Sequence, residues 1–223
     1  MPADANAEFM SWYGGLPAAG AKHPIAPRID SAVLYEQSAS SGFSKYGISS
    51  FGVSGSAACS GCSQTMAADD FIIPGTGNYN ISAVYTPGEI LSGTEPTNIL
   101  VTFYDVLKYS GKTRKTTIVP KTSCDTKSFS DRSGHGDFMV DVTSCNLGKF
   151  RAGHDYSVSV QPWFWSNGSW AWQTNHKQIK RQAFFVHVGG NGACNEYFRP
   201  IKICFSGKGY GPDLAFAIYG TKL

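Results

Sequence analysis

Long apolar runs are missing from this chain. Nowhere among its 223 residues does an uninterrupted apolar stretch reach the about 18–20 residues of a membrane-spanning helix. Charge is scarce as well: Asp, Glu, Lys and Arg make up 16% of the sequence, against a usual share of about 25%. The surface is therefore expected to be built largely of Ser, Thr, Asn, Gln and Gly. A net charge of +3, dispersed along the chain, gives no basic footprint of a nucleic-acid binder. Residues 1–30 hold no basic segment leading into an apolar one, so no intact leader peptide is visible; a secreted form would have lost its leader or carry it outside this numbering. Internal repeats are lacking, as are zincin, nucleophile-elbow, phosphate-loop and dinucleotide-binding motifs.

What is present favours strands. With 25 Gly, 11 Pro and an aromatic share of 13%, the composition suits many short strands joined by turns better than long helices. A hydrophobic share of 42% lets the chain bury a sizeable core as one domain. Residues 1–30, with Pro2, Pro17, Pro24 and Pro27 among small residues, read as an extended arm, tacked down by the aromatic patch Phe9 to Tyr13; residues 31–223 read as the folded domain. A first strand spans Ser31 to Gln37. Ser38 to Ala68, rich in Ser, Gly and Ala, is expected to be a long surface loop with short strands near Ile48 to Val53. Regular strand signals follow at Asp70 to Ile73, Tyr79 to Thr86, Ile99 to Leu107, Thr113 to Val119, Phe138 to Val142, Tyr156 to Trp165, Trp170 to Asn175, Phe184 to Val188 and Leu214 to Tyr219. This spacing predicts an all-β fold, an antiparallel β-sandwich of jelly-roll type.

Six cysteines, Cys59, Cys62, Cys124, Cys145, Cys194 and Cys204, form an even set. In an extracellular chain that number implies up to three disulfides among about 15 possible pairings. The preferred pairing is local: 59–62, 124–145 and 194–204. A zinc or redox reading of Cys59 and Cys62 lacks a second ligand pair at matching spacing.

The most distinctive stretch is Trp163-Phe-Trp165-Ser-Asn167-Gly168-Ser-Trp170-Ala-Trp172. Asn-Gly between alternating aromatic runs predicts a β-hairpin with a type I′ turn, whose two central residues need φ > 0. Trp165 would then face Trp170, and Trp163 would face Trp172. Alternation along Tyr156 to Trp165 puts Val158, Val160 and Phe164 on the core face, with Ser157, Ser159, Gln161, Trp163 and Trp165 opposite. Trp163, Trp165, Trp170, Trp172 and Gln161 thus become candidates for an exposed platform, where indoles stack on sugar rings and the amide bonds their hydroxyls. A bulge at Pro162, or a covering layer, would undo the arrangement.

Other candidates are weaker in pattern. Asn80-Ile-Ser82 and Asn167-Gly-Ser169 match the N-glycosylation triplet, although Asn167 is already explained by turn geometry. Asp69, Asp70 and Asp213 open or close strands, and adjacent strands could bring them together around a structural Ca²⁺. Turn capping and pairing with Lys or Arg explain them equally well. Ser133-Gly-His135-Gly-Asp137 holds triad residue types too close in sequence for triad geometry. His154-Asp155, His176 and His187 complete the titratable candidates. Lys108, Lys112, Arg114, Lys115 and Lys121, with Lys177, Lys180 and Arg181 elsewhere, read as solvated strand faces or a basic stripe.

Leu34-Tyr-Glu-Gln37, Ala68-Asp-Asp-Phe-Ile-Ile-Pro74, Val101-Thr-Phe-Tyr104, Tyr156 to Val160, Trp170-Ala-Trp172, the Cys194/Cys204 pair and Asp213-Leu-Ala-Phe216 occur in an order similar to a group of secreted β-sandwich modules of bacterial and some eukaryotic extracellular proteins. The resemblance covers roughly residues 33–220. It implies secretion and a sandwich fold, and it carries over no catalytic residue. The Cys59/Cys62 segment, the Cys124/Cys145 pair and the arm depart from it. The expected function is non-catalytic recognition of carbohydrate or another extracellular surface. Two alternatives stand beside it: a structural subunit of a matrix, coat or filament that self-associates through the N-terminal arm, and a secreted glycan hydrolase, for which Glu89, Glu95 and Glu196 are too scattered to nominate a catalytic pair.

Overall fold

The computed structural model describes residues 31–37, 43–53, 64–108, 116–165, 168–175, 178–188, 194, 197–205 and 211–223. The expected arm and the Cys59–Cys62 pairing lie outside these residues. In chain order the strands are β1 (Ala32–Gln37), β2 (Phe43–Ser49), β3 (Gly52–Val53), β4 (Gln64–Phe71), β5 (Asn78–Thr86) and β6 (Gly88–Ser92). Next come β7 (Asn98–Lys108), β8 (Thr116–Thr126), β9 (Phe129–Asp131), β10 (Phe138–Asp141), β11 (Phe150–Arg151) and β12 (Tyr156–Phe164). The last are β13 (Ser169–Asn175), β14 (Phe184–Val188), β15 (Arg199–Pro200), the one-turn helix α1 (Ile201–Cys204), β16 (Asp213–Leu214) and β17 (Phe216–Lys222).

Three sheets share one core. The first runs β1-β17-β5-β10-β9, with β11 also on β5; the second runs β15-β14-β4-β12-β7-β8, with β3 on β12; the third runs β16-β13-β2, with β6 on β13. Among the described strands only the two-residue β3–β12 contact is parallel. The first two sheets form the antiparallel sandwich, and the third contributes side chains to the same core. Leu34, Val84, Phe138 and Ile218 from the first sheet meet Phe71, Val101, Phe103, Val158 and Val160 from the second and Ile48, Trp170, Trp172 and Leu214 from the third. An aromatic chain crosses the interior: Phe138, Trp170, Trp172, Phe216, Phe71, Phe103 and Phe150 follow one another at centroid separations of 5.8, 5.9, 6.2, 6.4, 6.2 and 5.0 Å. Such tilted and edge-on contacts add to the burial of the rings themselves.

Two sequence expectations are corrected here. β2 and β4 occupy much of what reads as a surface loop. β4 is buried on both faces from Ala67 to Phe71, so alternation, the usual signal of a half-buried strand, is absent from it. β8 (Thr116–Thr126) runs past the expected end at Val119, through Pro120; residues 113–115 of the expected strand lie outside the described residues. β8 is the last strand of its sheet among the described residues, where a missing N–H breaks no ladder, and a register shift at Phe103/Tyr104 absorbs the proline.

The cysteine pairing is as expected where it is described. Cys124–Cys145 joins β8 to the turn after β10, and Cys194–Cys204 clips the segment around α1 to β14.

Candidate functional site

The tryptophan hairpin does not form. β12 pairs with β4, β7 and β3, whereas β13 pairs with β2, β6 and β16, so the two halves of the aromatic stretch belong to different sheets. Asn167 lies outside the described residues. Gly168 is closely packed: a Cβ there would sit 2.1 Å from the Phe164 ring.

Trp170 and Trp172 are therefore corrected from platform to core. Both are fully buried. Each indole N–H finds a carbonyl, Trp170 Nε1 donating to Gly136 O at 2.9 Å and Trp172 Nε1 to Ala215 O at 2.7 Å, which removes the penalty for burying an indole N–H. Trp170 comes so close to the β6 backbone that a Cβ at Gly88 would lie 2.3 Å from its ring. Gln161 is corrected too. It is buried, its amide donating to Phe51 O at 3.2 Å and Thr65 O at 3.1 Å, so it ties β12 to its neighbours and offers nothing to a ligand. Ser157 and Ser159 are buried with it, so the face opposite the valines is covered along most of β12.

Alternation itself holds. Pairing of β12 with β7 runs unbroken from Tyr156 to Trp163, through Pro162 opposite Ile99. Pairing with β4 stops at Ser159 and β3 begins at Trp163, so Pro162 stands in the gap where its missing N–H is not required. Phe164 consequently points inward, and Trp163 and Trp165 do not. Trp163 is half-buried over Gly52, where a Cβ would approach its ring within 2.7 Å. Trp165, just past the strand end, is 71% exposed, the most open of the large apolar side chains described.

Polar groups surround this strand end. Thr97 N donates to Trp163 O at 2.7 Å, and the Thr97 hydroxyl lies 3.0 Å from the same oxygen and 2.8 Å from Asn98 Oδ1. Asn98, opposite Trp163 in register, donates through Nδ2 to the exposed Asp125 carboxylate. The open indole of Trp165 thus lies two residues along the chain from Trp163, at whose strand end a hydroxyl, an amide and a carboxylate are held by hydrogen bonds.

The acidic residues meet elsewhere, in a buried knot that joins the three sheets. Asp69 Oδ2 accepts Gln37 Nε2 at 2.7 Å and Leu214 N at 2.6 Å, and its Oδ1 accepts Asp70 N at 2.8 Å. Gln37 also donates to Leu214 O at 2.9 Å and accepts the Tyr35 hydroxyl at 2.7 Å. Asp213 Oδ2 accepts Ile179 N, while Asp213 Oδ1 is buried without a partner. Asp70 faces Arg181, whose Nη1 lies 3.3 Å away and whose Nη2 reaches Asp155 at 2.7 Å. Burial pushes Asp69 well up, and repulsion from Asp213 and Asp70 adds to it. Asp213 is pushed up to about 7, mainly by burial. Burial also raises Asp70, against the pull of Arg181.

This arrangement does not suit calcium. Among the described residues no three His, Cys, Asp or Glu side chains converge so as to hold a metal, the Asp69 oxygens are taken by N–H donors, and Ca²⁺ needs roughly six to eight oxygens. Asp69, Asp70 and Asp213 are better read as cross-links between sheets. Gln37 and Arg181 complete the knot, and sequence pattern gave no sign of either role. Its core partners come from Leu34–Gln37, Ala68–Asp70 and Asp213–Leu214.

The remaining candidates resolve into structure. Asp131 accepts the amides of Ser133, Gly134, Gly136 and Asp137, and Ser133 Oγ accepts that of His135, so Ser133 to Asp137 is a wound turn that presents Gly136 O to Trp170. His154 Nε2 lies 3.1 Å from Asp105 Oδ1 at the surface. Burial lowers the pKa of His187; His176 lies outside the described residues. Arg181 and Lys180 leave the expected basic stripe, Arg181 for its two carboxylates and Lys180 for the Tyr35 ring, 5.8 Å away. Asn80 is exposed on β5, open to modification. No helix among the described residues is long and apolar enough to cross a membrane. Comparison with protein-family models, with curated proteins and with solved structures returns no match.

Proposed function

We propose that the chain is a secreted, non-catalytic recognition module that binds carbohydrate on an extracellular surface through Trp165, supported by Trp163, Thr97, Asn98 and Asp125. The observation that carries this reading is the 71% exposure of Trp165, two residues along the chain from Trp163, whose carbonyl accepts Thr97 N and whose cross-strand partner is Asn98. A free indole face packs on the C–H face of a pyranose, and nearby hydroxyl, amide and carboxylate groups bond its hydroxyls. Two disulfides are compatible with an oxidising compartment, which supports secretion.

The test is retention on a panel of insoluble polysaccharides, measured for the wild type and for Trp165→Ala. The variant should bind at least tenfold more weakly, about 1.4 kcal/mol, with unchanged thermal stability. Wild-type protein retained by no glycan, or Trp165→Ala retained as well as wild type, would sink the proposal.

A further inference from the structure

On a different part of the molecule, a cleft of about 570 Å³ opens between β5, the end of β17 and the turn over residues 143–149. That volume falls within the roughly 300–1,000 Å³ usual for small-ligand sites. Its floor is apolar, made by the buried Ile81 and Leu147. Around the mouth stand the hydroxyls of Ser82, Thr143 and Thr221 and the amides of Asn80 and Asn146. The one charged lining residue is Lys149, exposed and with no carboxylate partner among the described residues.

The walls are held firmly. The Cys124–Cys145 disulfide anchors the turn to β8, Val142 N donates to Ser82 O at 3.0 Å, and Leu147 N donates to Cys145 O at 3.0 Å. Ser82 and Ser31 hydroxyls lie 2.9 Å apart at the rim. Gly148 takes φ +71°, a conformation that turns the chain so Lys149 can follow Leu147 out of the core. A rigid cleft pays little ordering entropy on binding.

We infer that this cleft is a second ligand site, for a small polyhydroxylated carboxylate of the hexuronic acid class. The C–H face of the sugar packs on Ile81 and Leu147, the rim hydroxyls and amides bond its ring hydroxyls, and Lys149 meets the carboxylate. The cleft shares no residue with the Trp165 surface, so the two sites stand or fall separately. An N-linked glycan at Asn80 would cap the mouth, and protein freed of N-glycans is the material for the test.

Titration of the full chain with glucuronate and galacturonate, followed by ¹H–¹⁵N chemical shifts, should give saturable changes at residues 80–82 and 143–149. Glucose and galactose should bind at least tenfold more weakly. Lys149→Ala should lose at least tenfold in affinity and Lys149→Arg should keep it, while Asn146→Trp, at an exposed position that leaves the core untouched, should close the mouth. Trp165→Ala should leave this binding unchanged. The inference is overturned if neither uronate gives a saturable response, if neutral hexoses bind equally well, or if Lys149→Ala and Asn146→Trp both bind like wild type.

Discussion

Replacing Asp213 by Asn should make the protein less sensitive to pH and more stable in mild alkali. The Asp213 carboxyl has an ordinary value of 3.8 and is pushed up to about 7 by burial, with repulsion from Asp70 added. The folded state therefore holds a proton that the unfolded chain releases between those two values. Stability from this group is complete at a pH below about 4, declines as pH rises through about 7, and is then fully lost. The gap between about 7 and 3.8, at about 1.36 kcal/mol per pKa unit, sets an upper bound of about 4 kcal/mol. Asp69 acts in the same direction, since it too is raised by burial and by Asp213. An Asn at this position keeps an oxygen to accept Ile179 N and carries no charge at any pH. Urea unfolding of both proteins from pH of about 4.5 to 8.5 reads the effect as a difference, cancelling the carboxylates that do not interact with Asp213. The wild type should lose stability relative to Asp213→Asn across this window, by up to about 3 kcal/mol, the remainder of the effect lying below its acid end. A difference that stays constant with pH, or grows in favour of the wild type, would show that the native state does not retain the proton and that the knot has another source of compensation.

Other consequences concern packing and cross-links. Gly168→Ala should cost about 1–3 kcal/mol in chemical denaturation, because its Cβ would be forced to within 2.1 Å of the Phe164 ring. Replacing both Cys194 and Cys204 by Ser should lower stability by about 3 kcal/mol, and peptide mapping of the unreduced protein should return the 124–145 and 194–204 links.

Much of the architecture was legible because strand signals are local. Alternation along Tyr156 to Phe164 assigns Val158, Val160 and Phe164 to the core, and the pairing with β7 preserves that assignment through Pro162. Cysteines 10 and 21 residues apart bond as proximity suggests. β4 was harder to read, since a strand buried on both faces and built from Ala, Asp and Thr lacks the period-two pattern. Half of the proposed recognition surface was visible from sequence, in Trp163 and Trp165. The other half was not: Thr97, Asn98 and Asp125 sit on β8 or at the start of β7, and only cross-strand register brings them alongside.

By itself the sequence determined an all-β chain and the inward face of its central strand, because each depends on a residue's near neighbours along the chain; proximity favoured the two described disulfides, but only the fold fixed the pairing. The tertiary structure alone decided that Asn-Gly between aromatic runs would not close a hairpin. Trp170 and Trp172 gain more by entering an aromatic core, each with a carbonyl for its N–H, than by facing Trp165 and Trp163 across a turn. It also decided that Gln37, Asp69 and Asp213, up to 176 positions apart, would meet in one buried knot. Which strand a segment pairs with is set by what the whole chain can bury, and no local pattern encodes that choice.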